Sequence, residues 1–191
     1  MEITIFKDIK DTAQPFYRDV SKILERIQEG ASQDIVRSIR EEKDKEIRNK
    51  LKQSLPAICF SGKFSKRNDS SLLEHSGLIC LDFDNFPTEK LLLEQKEFLT
   101  KDKYTYSVFI SPSGLGLKAL VKIPAEGDTH KQFFNSLQLH YDSEYFDIAC
   151  KNVSRVCYES YDPLIFINEQ SSVFNQIIEQ EYQEVVKHKD V

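Results

Sequence analysis

Gly77-Leu78-Ile79-Cys80-Leu81-Asp82-Phe83-Asp84 is the stretch that decides how this chain folds. An apolar run of this kind predicts a buried strand, yet it closes on two carboxylates. Alternation along a strand places Asp82 and Asp84 on one face and Phe83 on the other. Two acids side by side at a strand end repel each other unless a cation sits between them. The pair is therefore the first candidate for chemistry.

Downstream, Pro87 opens a helix over Thr88–Leu99, and Tyr104–Ile110 predicts a strand. Ser111-Pro112-Ser113-Gly114-Leu115-Gly116 is a loop. Leu117–Ile123 alternates strictly, with Leu117, Ala119, Val121 and Ile123 set against Lys118, Leu120 and Lys122. A helix follows over Asp128–Tyr141, apolar at Phe133, Phe134 and Leu137, and Arg155–Glu159 predicts a last strand. The resulting fold class is α+β, with the βαββαβ order of the split βαβ or ferredoxin-like arrangement.

Upstream, Ile3–Phe6 predicts a strand. Phe16, Val20, Ile23, Leu24 and Ile27 recur at helical spacing between Pro15 and Gly30. A second helix is expected over Gln33–Gln53, with Ile35, Ile39, Ile47, Leu51 and Leu55 on one ladder and the mixed-sign run Glu41–Glu46 as a solvated face. Ala57–Ser61 predicts a strand, and Gly62–Asn68 a polar, basic loop. The tail from Gln170 to Val191 predicts a helix or linker on Val173, Ile177 and Ile178. One domain is expected over 1–168, mainly helical up to 56, with 169–191 appended.

Of 191 residues, 40% are hydrophobic and 30% charged, enough for a globular core. No segment approaches the run of about 20 apolar residues that a membrane helix needs, and no signal-peptide pattern opens the chain. A soluble, cytoplasmic protein with no membrane partner is the expectation. Cys59, Cys80, Cys150 and Cys157 form no CxxC pair and predict buried free thiols. The net charge of −5 excludes a whole-molecule basic field, so nucleic-acid contact must be local. Lys63, Lys66 and Arg67 in one loop are the candidate nucleic-acid-binding cluster. The four histidines show no ligand spacing.

In a ferredoxin-like sheet the first strand is central, flanked by the third and fourth. The end of Leu78–Phe83 would then meet the start of Leu117–Ile123 and the segment running from Asp147 to Arg155. Asp82, Asp84 and Asp147 would converge as ligands for one or two Mg²⁺ or Mn²⁺ ions, which take hard oxygen donors. Ser113-Gly114-Leu115-Gly116-Leu117-Lys118 would let backbone N–H groups approach an anion. Lys118 adds a point charge for phosphate, and Arg155 a bidentate fork.

LDFD (81–84), SPSGLGLK (111–118), and Asp147 followed by NVSR (152–155) and SYDP (160–163) resemble the three motifs of the archaeo-eukaryotic primase superfamily, and within it the VirE N-terminal-domain-like family of mobile elements and phages. The resemblance spans roughly Ile35 to Asn168 and takes in Leu55–Gly62 and the basic loop after it. It implies an RRM-like catalytic palm over 57–168 and template-directed nucleotidyl transfer for primer synthesis or DNA replication. It further implies Asp82, Asp84 and Asp147 as metal-binding catalytic acids. Ser111, Ser113, Gly114, Gly116, Lys118 and Arg155 would be nucleotide-binding. The implied partners are a nucleoside triphosphate, a single-stranded DNA template and a helicase-like module. The second motif usually carries a histidine after the serine; here the basic residue is Lys118. No GxxxxGK[ST] occurs, so the chain carries no helicase-like module of its own.

Two other functions compete. A fold of this kind that has lost catalysis would be a nucleotide- or nucleic-acid-binding module. LICLDFDNF also resembles the opening motif of haloacid-dehalogenase-type phosphatases, in which the first Asp is the nucleophile and the second a general acid. That motif wants Thr or Val where Phe86 stands.

Overall fold

A computed structural model describes residues 1–178. In chain order the strands are β1 (Glu2–Phe6), β2 (Phe16–Asp19), β3 (Ala57–Cys59), β4 (Gly62–Phe64), β5 (Leu72–His75), β6 (Leu78–Phe83), β7 (Thr105–Ile110), β8 (Leu117–Lys122), β9 (Cys157–Tyr158) and β10 (Phe166–Ile167). The helices are α1 (Val20–Glu29), α2 (Gln33–Glu41), α3 (Lys45–Lys52), α4 (Glu89–Lys101) and α5 (His130–Tyr141). The class is mixed α+β with antiparallel sheets, and no described helix is long and apolar enough to cross a membrane.

β6 is apolar because both of its faces are covered. Ile79, Leu81 and Phe83 pack with Leu92 and Leu99 of α4 and with Phe133, Phe134 and Leu137 of α5. Leu78 and Cys80 point the other way, into a cluster with Ile3, Ile58 and the α1 stripe Val20, Ile23, Leu24 and Ile27. A second sheet, β2-β1-β3-β9, thus lies behind the first, which runs β10-β7-β8-β6. Burying a side chain such as Phe83 contributes roughly 1.5–3 kcal/mol.

The βαββα part of the predicted order is present, with β6 bounded at Leu78 and Phe83 as expected. Besides Gly62–Phe64, which was expected to open a loop and instead pairs with β5 as β4, four expectations need correction. First, the strand at Arg155–Glu159 shrinks to β9 and pairs with β3 in the rear sheet, not with β6. The place beside the end of β6 is taken by Tyr145–Asp147. Asp84 N–H donates to Tyr145 C=O at 2.8 Å, Asp147 N–H to Asp82 C=O at 2.9 Å, and Phe83 bridges Phe146.

Second, the first helix starts at Val20, because Phe16–Asp19 pairs with β1 and Asp19 caps the helix through Ser21 N–H. Third, the helix over Gln33–Gln53 is broken. Asp44 is extended and accepts from the N–H groups of Glu46 and Ile47, so α3 starts afresh and its Ile47 is exposed. Fourth, Gln170–Ile178 is not helical. Its N–H groups reach Lys103 C=O (from Ser172), Lys122 C=O (from Phe174) and Ser136 Oγ (from Ile178), and Phe174 is buried against Tyr104 and His140. The rest of the predicted tail helix, 179–191, lies outside the described residues.

Candidate functional site

The register of β6 against β8 sets Asp82 directly opposite Lys118. Their side chains form an ion pair, each about 12% exposed. Asp82 Oδ2 also accepts from Cys150 Sγ at 3.3 Å, and the same thiol reaches Asp147 Oδ2 at 3.0 Å. Ligand-type atoms of Asp82, Asp147 and Cys150 lie within 4.8 Å of one another. Asp84 lines the same cavity of about 340 Å³, together with Ser111, Ser113, Lys118 and Arg155.

The acids are unequally satisfied. Asp147 also accepts from Ala149 N–H at 2.9 Å. Desolvation works against its charge, but the Cys150 and Ala149 donors, with Arg155 and Lys118 nearby, hold its carboxyl below the usual range. Asp84 has no side-chain hydrogen bond among the described residues. Its carboxyl is pushed up, first by desolvation and further by Asp82 and Asp147, with Lys118 and Lys52 opposing. Burial, Asp82 and Asp147 raise the Cys150 thiol, which therefore stays protonated and acts as a donor between two carboxylates. Lys118 is held charged: burial opposes it, and Asp82 outweighs the burial.

The hairpin between β7 and β8 shapes the opposite wall. Ser111 N–H donates to Gly116 C=O and Gly114 N–H to Ser111 C=O, so these two donors close the turn and are not free for an anion. Gly114 is needed for its φ of +74°. Gly116 is needed for space, since a Cβ there would sit 2.1 Å from Asp84 Oδ1. The Ser111 and Ser113 hydroxyls pair at 3.1 Å.

Arg40 of α2 supports the hairpin from behind, donating to Ser111 C=O and to Tyr161 C=O. Asn85, at φ 67°, turns the chain away immediately after Asp84. Arg155 donates to Ala149 C=O at 2.8 Å, while its Nε is buried without a partner.

The three predicted acids and Ser111, Ser113, Lys118 and Arg155 are thus brought together. Lys63, Lys66 and Arg67 are not among the residues lining this cavity. Lys63 is neutralised by Glu2 at 2.9 Å and Glu74 at 2.7 Å. Three residues at the site carried no sequence signal: Cys150, Arg40 and Lys52. Only the fold brings Lys52, at the end of α3, beside Asp84. All four cysteines are free and buried, as expected.

A hard divalent cation would find oxygen donors here in Asp147, both oxygens of Asp84 and Asp82 Oδ1, because Lys118 and Cys150 both converge on Asp82 Oδ2. The thiol does not suit such an ion and serves as a hydrogen-bond donor.

Fold and site define an α+β protein whose strand end carries an acidic cluster walled by cations. Residues 50–166, more than half of the chain, match the model of the BT4734-like, N-terminal domain family, and the chain belongs to that family. No curated protein and no solved structure matches it.

Proposed function

We propose that the cleft binds a nucleoside triphosphate together with Mg²⁺ or Mn²⁺. The protein would then be a primase- or polymerase-like nucleotidyltransferase with a palm of the archaeo-eukaryotic primase type. The observation that carries this reading is Asp84: a partly buried carboxylate without a hydrogen-bond partner among the described residues, lining one cavity with Asp82 and Asp147, whose charges raise its carboxyl and whose repulsion a cation would relieve.

Asp82, Asp84 and Asp147 would hold the metal. Bound there, the ions would assist attack of a 3′-hydroxyl on the α-phosphate and offset charge on the departing pyrophosphate. Lys118, Arg155 and Lys52 line the same cavity and supply positive charge toward the phosphates. The buried, unpartnered Nε of Arg155 is a donor available to a ligand oxygen. The rigid hairpin Ser111–Gly116 bounds the site and keeps Asp84 in place. A single-stranded DNA template and a helicase-like partner belong to the same reading.

The ion pair between Lys118 and Asp82 favours a second reading, a catalytically inactive binding module, because it already neutralises one of the three acids. The test is nucleotide incorporation on single-stranded templates with Mg²⁺ or Mn²⁺. Wild type should incorporate, and Asp82→Ala or Asp84→Asn should lose at least about a hundredfold. Nucleotide binding without incorporation would favour the module. Phosphoester hydrolysis abolished by Asp82→Asn would favour the phosphatase instead.

A further inference from the structure

Helix α3 lies beside the acidic cavity and differs from its neighbours in how its charges are used. Lysines of α1 and α4 are paired: Lys22 with Glu25, Lys90 with Glu94 and Lys101 with Glu97 on their own helices, and Lys96 with Asp162. In α3, Lys45, Arg48 and Lys52 share one face at i, i+3 and i+7, and none forms an ion pair among the described residues. That face lines a second chamber of about 660 Å³, which meets the acidic cavity at Lys52, Asp84, Ser113 and Asp147. The same chamber is lined by the half-buried Tyr145, by Glu144 and by two exposed apolar side chains, Leu115 (53% exposed) and Ile148 (62%).

We infer that this outer chamber is the track for a single-stranded nucleic acid, whose backbone follows Lys45, Arg48 and Lys52 and whose bases rest on Leu115, Tyr145 and Ile148. The inference rests on the nucleotidyltransferase reading for the role of the inner cavity and assigns that site its polymeric partner. The three cations span about 10 Å at 1.5 Å per residue, a row suited to successive phosphates rather than to one.

A protein of net charge −5 cannot draw in a polyanion by its overall field, so an unpaired basic row must do so locally. The inner cavity has its own cations in Lys118 and Arg155 and shares Lys52, which leaves Lys45 and Arg48 for a second phosphate-bearing ligand. Apolar and aromatic surface beside a cationic row is the usual composition of a single-strand groove. The chamber opens onto the acidic cavity at Asp84 and Asp147, so a strand held in it passes beside the metal-binding acids.

The test uses the full chain and a fluorescently labelled oligothymidylate, followed by anisotropy across a salt series. Lys45→Ala/Arg48→Ala should weaken binding about tenfold or more. It should also flatten the slope of log K against log salt by about 1.4, two lost contacts at roughly 0.7 each. Arg48→Lys should recover part of the affinity, and Lys50→Ala, off that face, should change neither quantity.

Binding of a fluorescent nucleoside triphosphate, measured in parallel, should be unaltered in the double variant. An unchanged strand affinity in that variant overturns the inference, as does absence of strand binding by the wild type. An equal loss of nucleotide affinity overturns it too and makes the outer chamber a triphosphate site. None of these readouts requires turnover, so failure of catalysis would show separately, in the incorporation assay.

Discussion

Two carboxylate centres in this molecule are built on opposite plans. Behind the sheets, Glu159 is 1% exposed and held by both forks of Arg26, at 2.7 and 3.0 Å, and by the Ser32 hydroxyl. Nearby, Asp162 takes Lys96 Nζ at 2.7 Å and the N–H groups of Ile110 and Leu164, each at 2.9 Å. Each acid has a cation and further donors of its own, which is what a buried charge needs to be tolerated. At the end of β6, Asp82 has one ion-paired lysine, one thiol lies between Asp82 and Asp147, and among the described residues Asp84 has no side-chain hydrogen bond. The first plan stabilises the fold. The second leaves electrostatic tension for a ligand to resolve.

The largest effect should come from breaking the satisfied centre. Asp162→Ala strips Lys96, about 12% exposed, of its partner and should cost roughly 3–5 kcal/mol in urea unfolding. A cost under 1 kcal/mol would erase the distinction between the two centres.

Next comes acid. His75 and His130 stack edge-on, with Nε2 and Nδ1 3.0 Å apart, and burial lowers them to about 4 and about 3 from the ordinary 6.5. The unfolded chain takes up these protons first. Stability is therefore intact above pH 6.5 and falls as pH drops toward 4, by on the order of 3 kcal/mol for each histidine. Unfolding curves at pH 7, 5.5 and 4.5 measure this, and His130→Phe should flatten the profile.

The strained centre should respond with the opposite sign. Asp84 is raised above its ordinary 3.8, so its ionised form costs stability at neutral pH, and that cost disappears as pH falls through the raised value. Asp84→Asn should therefore gain on the order of 1 kcal/mol at pH 7 and nothing below the ordinary carboxylate value. Millimolar Mg²⁺ or Mn²⁺ should raise the melting temperature of wild type more than that of the variant. A destabilised Asp84→Asn would place Asp84 with the structural acids.

The smallest effect belongs to the helix that carries the cation row. Asp44→Ala removes the cap of α3 and should cost about 0.5–1 kcal/mol, seen as a slightly lower unfolding midpoint.

The sheet that carries the acids was legible because its signals are local. Alternation in Leu117–Lys122 and the apolar run of Leu78–Phe83 set both strands, and α4 and α5 begin within two residues of expectation. Of the rear sheet, β1 and β3 were legible as strands at Ile3–Phe6 and Ala57–Ser61, but their outer partners were not. Phe16–Asp19 continues a helical apolar stripe and becomes a strand only because β1 offers it a partner. Cys157–Tyr158 carries strand propensity but no mark that would choose β3 over β6. Cys150 looked like any buried thiol until the chain brought it between Asp82 and Asp147.

Charge shows the division most sharply. The segment Gly62–Asn68, expected as a loop but opening with β4, and α3 are both basic in sequence, and the first was the expected nucleic-acid contact. Pairing of Lys63 with Glu2 and Glu74 neutralises part of that segment, whereas Lys45, Arg48 and Lys52 of α3 line the cleft and form no ion pair among the described residues. The sequence by itself determined that Asp82 and Asp84 leave a buried strand on one face, since a strand's alternation is intrinsic to its backbone. Tertiary structure alone decided which residues complete their surroundings. Asp147 was expected there, but Cys150, Lys52 and Arg40 come from segments whose meeting depends on packing two sheets and on long-range hydrogen bonds, and no local pattern encodes either.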